Sequence, residues 1–177
     1  MRVLLEGKSV LFIVAQQNFR DEELDIPEKI LKREGAKVVV ASITTDEARG
    51  MLGMRVKPDI AVRSAAVGNF HAVVIAGGSG SPKLADYPEV LSVVRRFFEK
   101  GKLIAAICLA PFVLAKAGIL RGVTVTTYAE DFVMSELARA GAIYSDKHVV
   151  VDGKIITADG PKAAKEFGEE IVKALVK

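Results

Sequence analysis

The chain carries one cysteine, Cys108, and its surroundings make it the first candidate for chemistry. It closes an apolar run from Leu103 whose length and composition suit a buried parallel strand. Helical spacing follows at once, at Leu109, Phe112, Val113 and Lys116, with Pro111 in the first turn, where a missing N–H costs nothing. A thiol at such a strand-to-helix corner projects past the carboxyl end of a sheet, where open α/β folds keep their sites. The helix N-terminus behind it is expected to favour thiolate over thiol. Cys108 is thus a nucleophile candidate, set against the bland alternative of a small buried hydrophobe.

Two other stretches can serve such a thiol. The acidic cluster Asp21-Glu22-Glu23 follows the first strand. In a parallel sheet that strand and the cysteine strand open on the same edge, so one of these carboxylates can reach Cys108. A carboxyl held there tends to be protonated and can donate a hydrogen bond to sulfur; an ionised one would raise the cysteine pKa. At least two of the three are expected to be ordinary helix-start acids. The turn Gly77-Gly78-Ser79-Gly80 follows another apolar strand. It is neither a dinucleotide fingerprint nor a phosphate loop, which argues against nucleotide binding. Its bare N–H groups can instead approach a reacting oxygen beside the thiol. The two histidines, His71 before the third core strand and His148 at the start of a hairpin strand, read as surface residues. Neither has metal-ligand spacing, so no metal and no cofactor is expected.

The elements that must position these residues alternate. Ser9–Ala15 reads as a buried strand, and a helix begins at Glu22 and ends at Gly35. Lys37–Ser42 is the second strand; residues 43–64, with Gly50, Gly53 and Pro58, read as an irregular β excursion outside the main sheet or on its edge. Ala72–Ala76 is the third core strand, followed by a helix over about Pro88–Lys100. After the cysteine corner come a β-branched run, Val123–Thr127, and a helix over Glu130–Ala140. A hairpin follows around Asp152-Gly153, the pair a type I′ turn prefers, and a last helix starts from Pro161. The fold expected is one α/β domain over residues 1–177. It is a doubly wound, flavodoxin-like three-layer sandwich with a parallel core sheet, added β-hairpins and a nucleophile elbow at Cys108.

Composition narrows the classes. One cysteine excludes an internal disulfide framework and points to a reducing, cytoplasmic compartment. The opening MRVLLEGKSVLF is broken by Glu6 and Lys8, unlike a signal peptide, and no apolar run approaches a membrane span. Net charge is +3 with both signs interspersed, so neither nucleic acid nor membrane is an expected partner. Asn and Gln together number four while charged residues make up 27%, a balance that leans toward a thermophilic source.

Taken together, the stretches DEELDIPEKILKREGAKVVVAS, HAVVIAGGSG, LIAAICLAP, ILRGVTVTTY and VVVDGKIITADGP resemble the ThiJ/PfpI superfamily, with its deglycase and archaeal protease-like branches. That resemblance implies Cys108 as nucleophile and Glu23, three residues before Ile26-Pro27, as its carboxyl partner, with Glu22 as fallback. It implies an oxyanion hole from the N–H groups of Gly78 and Leu109, and a homodimer or higher homo-oligomer. The chain also departs from the family. Leu109 stands where the protease-like branch has histidine, and Tyr128 where the deglycase branch has one. The family arginines fall on Asp159 and near Pro58. The implied function is therefore a cofactor-independent cysteine enzyme acting on small reactive carbonyls or their protein adducts, with Tyr128 a candidate proton donor. The alternatives are a cysteine peptidase or amidase, and a non-enzymatic redox sensor or chaperone-like stress protein.

Overall fold

The structure is a computed structural model and describes residues 3–177. Its strands are β1 (Ser9–Ile13), β2 (Gln17–Phe19), β3 (Lys37–Ser42), β4 (Ala48–Gly50), β5 (Arg55–Val56), β6 (Ile60–Ala61), β7 (Ala72–Ile75), β8 (Leu103–Ile107), β9 (Thr124–Val125), β10 (Ile143–Tyr144), β11 (Val149–Asp152) and β12 (Ile155–Ala158). The helices are α1 (Asp21–Arg33), α2 (Pro88–Glu99), α3 (Pro111–Ala117), α4 (Asp131–Arg139) and α5 (Ala164–Val176). Seven strands form the main sheet in the order β11-β12-β8-β7-β1-β3-β6, parallel throughout except for β11.

Burial explains the centre of this sheet. Every residue of β7 and β8 is buried, and β1 is buried from Val10 to Ile13, because helices cover both faces. Helices α1 and α5 pack together as one layer, and α2 with α3 as the other; β8 touches both α2 and α5. The first layer closes tightly where α5 passes α1 at Gly168, whose absent Cβ would lie 3.2 Å from Pro27 Cα. Pro27 stands inside α1 and removes the N–H that would bond the Glu23 carbonyl, an interruption in the helix one turn after Glu23. Among the described residues no helix is long and apolar enough to cross a membrane.

Strand order reverses between β1 and β7: the chain winds outward from β1 to β3 and β6, then from β7 to β8 and β12. That reversal opens a crevice at the carboxyl edge, and the loops after β1, β7 and β8 all end there.

Two expectations change. The 149–158 hairpin is not an addition to the core. All of β12 is buried, and it pairs in parallel with β8, so only β11 is an antiparallel edge strand. Its turn has Gly153 and Lys154 between the paired Asp152 and Ile155, and only Gly153 has positive φ (57°), so it is not type I′. The excursion divides as expected: β4 and β5 join β2 in a separate small sheet, while β6 pairs with β3 on the main sheet's edge. The β-branched run forms only the two-residue β9, paired in parallel with β10.

Candidate active site

At the end of β8 the backbone turns through Cys108, which has φ of 65°. A non-glycine residue in this left-handed region costs about 1–2 kcal/mol, so the conformation must be held from outside. The Cys108 N–H donates to the Ala158 carbonyl (2.8 Å), and the Cys108 carbonyl accepts from the Tyr128 N–H (2.9 Å) and the Thr127 hydroxyl (2.6 Å). Three bonds from two neighbouring segments clamp the elbow. The thiol is 7% exposed at the crevice, and Pro111 begins α3 as expected.

Glu23 of α1 is fully buried. The meeting of acid and thiol depends on Gly77: a Cβ there would sit 2.5 Å from Glu23 Oε1 and 2.6 Å from Cys108 Cβ. With no side chain between them, carboxyl and cysteine face each other across bare backbone. Gly78 has φ of 103°, where L side chains are strained, and its N–H faces the sulfur together with that of Leu109. The acidic cluster thus splits into three roles. Asp21 accepts from the N–H groups of Leu52 (3.1 Å) and Met54 (2.9 Å), pinning the β4–β5 turn. Glu22, the fallback, is tied to Arg20 at 2.8 Å instead. Only Glu23 enters the site.

The electrostatics correct the expectation of a ready thiolate. Burial pushes Glu23 up to about 8, against the Cys108 thiol, the Gly77 N–H and the Arg20 charge, which favour the carboxylate. Neither carboxyl oxygen closes a hydrogen bond at standard geometry, so these neighbours only partly offset the loss of water. Cys108 rises to about 12, first through burial and then through the charge on Glu23; the N–H groups of Gly78 and Leu109 pull the other way and lose. The second rise requires an ionised Glu23. Both shifts run toward the protonated forms, a neutral carboxyl beside a neutral thiol.

Two features escaped the sequence. Arg20, just before α1, donates its backbone N–H to the Gly77 carbonyl (2.9 Å), and its guanidinium is held by Glu22. Its charge is felt by both Glu23 and Cys108, which supplies a cation where motif matching found none. Nothing in the spacing marks it, because it lies outside the positions where arginine was sought. The second feature is a groove of about 610 Å³ beside the elbow, whose walls include Thr127, Tyr128, Tyr144, His148, Asp159 and Lys162. His148 is solvent-facing, as expected for a surface residue, but its Nδ1 lies 2.8 Å from Asp159 Oδ2, which makes it one half of a pair. His71 stays at the amino end of the sheet, where its Nδ1 accepts from the Ser9 N–H (3.1 Å). Tyr128 lines the groove half-exposed and touches the elbow through its backbone.

Comparison with known proteins identifies the family to which this fold belongs. Residues 8–174 match the model of the DJ-1/PfpI family. An uncharacterized protein of Methanocaldococcus jannaschii is 41% identical over 98% of this chain and 85% of its own. A deglycase of Pyrococcus horikoshii is 34% identical over 94% of this chain and 98% of its own. A glutathione-independent glyoxalase of Caenorhabditis elegans, DJR-1.2, is 31% identical over 95% and 89%. The crystal structure of a ThiJ/PfpI domain protein from Brachyspira murdochii superposes with a TM-score of 0.90, at 30% identity and 96% of both chains. With a reversal-point crevice, a strained cysteine elbow and a family match over nearly its whole length, the chain belongs to the DJ-1/PfpI family.

Proposed function

We propose that the protein is a cofactor-independent enzyme that adds Cys108 to small reactive carbonyls, 2-oxoaldehydes above all, or to their adducts on proteins. The observation that carries this reading is the juxtaposition of thiol and buried carboxyl across Gly77. A pair shifted toward its protonated forms does not need a standing thiolate. The neutral carboxyl can act at both oxygens: one takes the proton from sulfur while the hydroxyl gives its own to the carbonyl oxygen. A carbon–sulfur bond forms, a hemithioacetal results, and Glu23 ends as it began. The N–H groups of Gly78 and Leu109 are the donors for the oxygen as its charge develops, and the Arg20 charge favours negative charge nearby.

Names borne by relatives, a glyoxalase and a deglycase, support carbonyl chemistry of this kind. The peptidase reading gains nothing: Leu109, next to the nucleophile, has no proton to give a leaving amine. The test is methylglyoxal turnover by wild type, Cys108→Ser and Glu23→Gln. Consumption that both substitutions abolish supports the reading; undiminished consumption by Cys108→Ser refutes it.

A further inference from the structure

The two edges of the main sheet are finished differently. At one edge β6 (Ile60–Ala61) is too short to template another strand. At the other, β11 presents Val149, Val150 and Val151 with no proline and no charge among them. The Asp159 N–H donates to the His148 carbonyl (3.0 Å), which fixes the alternation of this antiparallel ladder. The backbone groups of His148, Val150 and Asp152 turn toward β12, and those of Val149 and Val151 turn away from it. Among the described residues no other backbone group bonds to these outward N–H and carbonyl groups.

The side chains beside this edge are also without cover. Val151 is 50% exposed and shares a groove of about 440 Å³ with Leu4 and with Val172, Ala174 and Val176 of α5. Leu4 and Val176 are exposed to a similar degree. The opposite face of β11 is occupied: Val150 is buried, and one oxygen of Asp152 accepts from the Thr124 N–H (2.8 Å). What stays open is the backbone edge and the apolar strip that joins it to α5. Asp146 and Lys154, exposed beyond the two ends of the strand, have no ion-pair partner among the described residues.

We propose that β11 is an interface for a second copy of this chain, paired antiparallel with β11 of that copy so that the two sheets run on as one. The charges select the register. A twofold axis perpendicular to the sheet keeps every side chain on its own face, so each residue meets itself or one an even number of positions away. Centred on Val149, the pairing sets Asp146 against Asp152 of the partner subunit, a repulsion between carboxylates. Centred on Val151, it leaves Asp152 opposite the buried Val150 and sets His148 against Lys154 of the partner subunit. Centred on Val150, it sets His148 against Asp152 and Asp146 against Lys154, opposite charges on both sides of the axis. In that same register Val149 meets Val151, and the two exchange the N–H and carbonyl groups that the protomer leaves unused. Both Val151 side chains then lie close to the axis on the α5 face, so the two apolar strips meet across the joint.

Sedimentation equilibrium and amide exchange on the full chain test this interface. Val151→Lys is expected to halve the mass of the wild-type assembly and to leave the far-UV circular dichroism unchanged, because the side chain is half-exposed in the protomer. Asp146→Lys and Lys154→Glu are each expected to weaken association about tenfold, since each change acts on both sides of the axis, and the double variant to recover wild-type affinity. The Val149 and Val151 amides are expected to exchange slowly in wild type and fast in Val151→Lys. A wild type that stays monomeric overturns the proposal. So does an assembly whose mass survives Val151→Lys, which would be built on another face. A double charge variant that associates no better than the single ones overturns it as well, because the register it rests on would be wrong.

Discussion

Glu23 makes the stability of this protein depend on pH in a way that a single substitution should erase. Its carboxyl has an ordinary value of 4.5 and is raised to about 8 in the fold, chiefly because burial removes it from water. A raised folded value means that the native state binds the proton more tightly than the unfolded chain. The associated stability is complete below about pH 4.5. It falls as the unfolded carboxyl ionises, and levels off once the pH passes the folded value. With each pH unit worth about 1.4 kcal/mol, the full loss is about 5 kcal/mol. That is comparable to the whole stability of a small domain, so it should dominate the profile. Glu23→Gln keeps the shape but cannot ionise. The assay is guanidinium unfolding of both proteins from about pH 5 to about pH 8, a window that stays below the ordinary thiol value of about 8.5. The Glu22 and His148 shifts are common to both proteins and cancel in the difference. The variant should gain on wild type by several kcal/mol across the window. A difference that stays within about 1 kcal/mol would refute the claim that Glu23 is buried in its neutral form.

Cys108 should alkylate with iodoacetamide more slowly than a free thiol at neutral pH, and Glu23→Gln should lower its apparent pKa, since both influences of Glu23 on the thiol raise it; a profile centred below the free value in wild type would contradict this. Gly77→Ala should lose nearly all carbonyl turnover and about 1–3 kcal/mol of stability, because its Cβ has to push Glu23 and Cys108 apart; a soluble, fully active variant in a turnover assay would sink the argument. Asp21→Ala should speed amide exchange at Leu52 and Met54 while leaving Cys108 alkylation unchanged, as Asp21 holds the β4–β5 turn and does not touch the thiol. Exchange rates equal to wild type would show that the turn holds without it.

The sequence speaks most clearly where chemistry and backbone coincide. Continuous apolar runs mark β1, β7 and β8 because both of their faces are covered, and the shift of period after Cys108 marks the elbow. The partner of the thiol was legible only down to a cluster of three acids. Their separation depends on which side of α1 each one leaves, and on the β4–β5 turn and Arg20 arriving to occupy Asp21 and Glu22. The hairpin was legible as local pairing, but its place in the sheet was not: β12 joins β8 through contacts across fifty residues, beyond any local pattern. The His148–Asp159 pair was hidden for the same reason, since the two approach only once β11 and β12 have paired.

The costs in this fold are concentrated at one point. A cysteine in a left-handed conformation and a carboxyl buried without full hydrogen bonding lie on either side of Gly77, a glycine that tolerates no side chain. None of these improves the core, and each has a cheaper substitute: glycine relaxes the elbow, and an amide or an aliphatic side chain replaces the acid. Random placement would scatter such costs over the surface, where water relieves them. Here they share one crevice, and the surrounding segments supply what holds them: the Ala158 carbonyl, the Thr127 hydroxyl and the Tyr128 N–H brace the elbow. The strands β7 and β8, which lead to Gly77 and Cys108, are buried at every residue. Strain that is braced so firmly, and on both sides of a single thiol, is what a preorganised nucleophile requires. Substitutions that remove these costs should stabilise the chain and silence it together, and a variant that gained stability there while keeping its turnover would break that link.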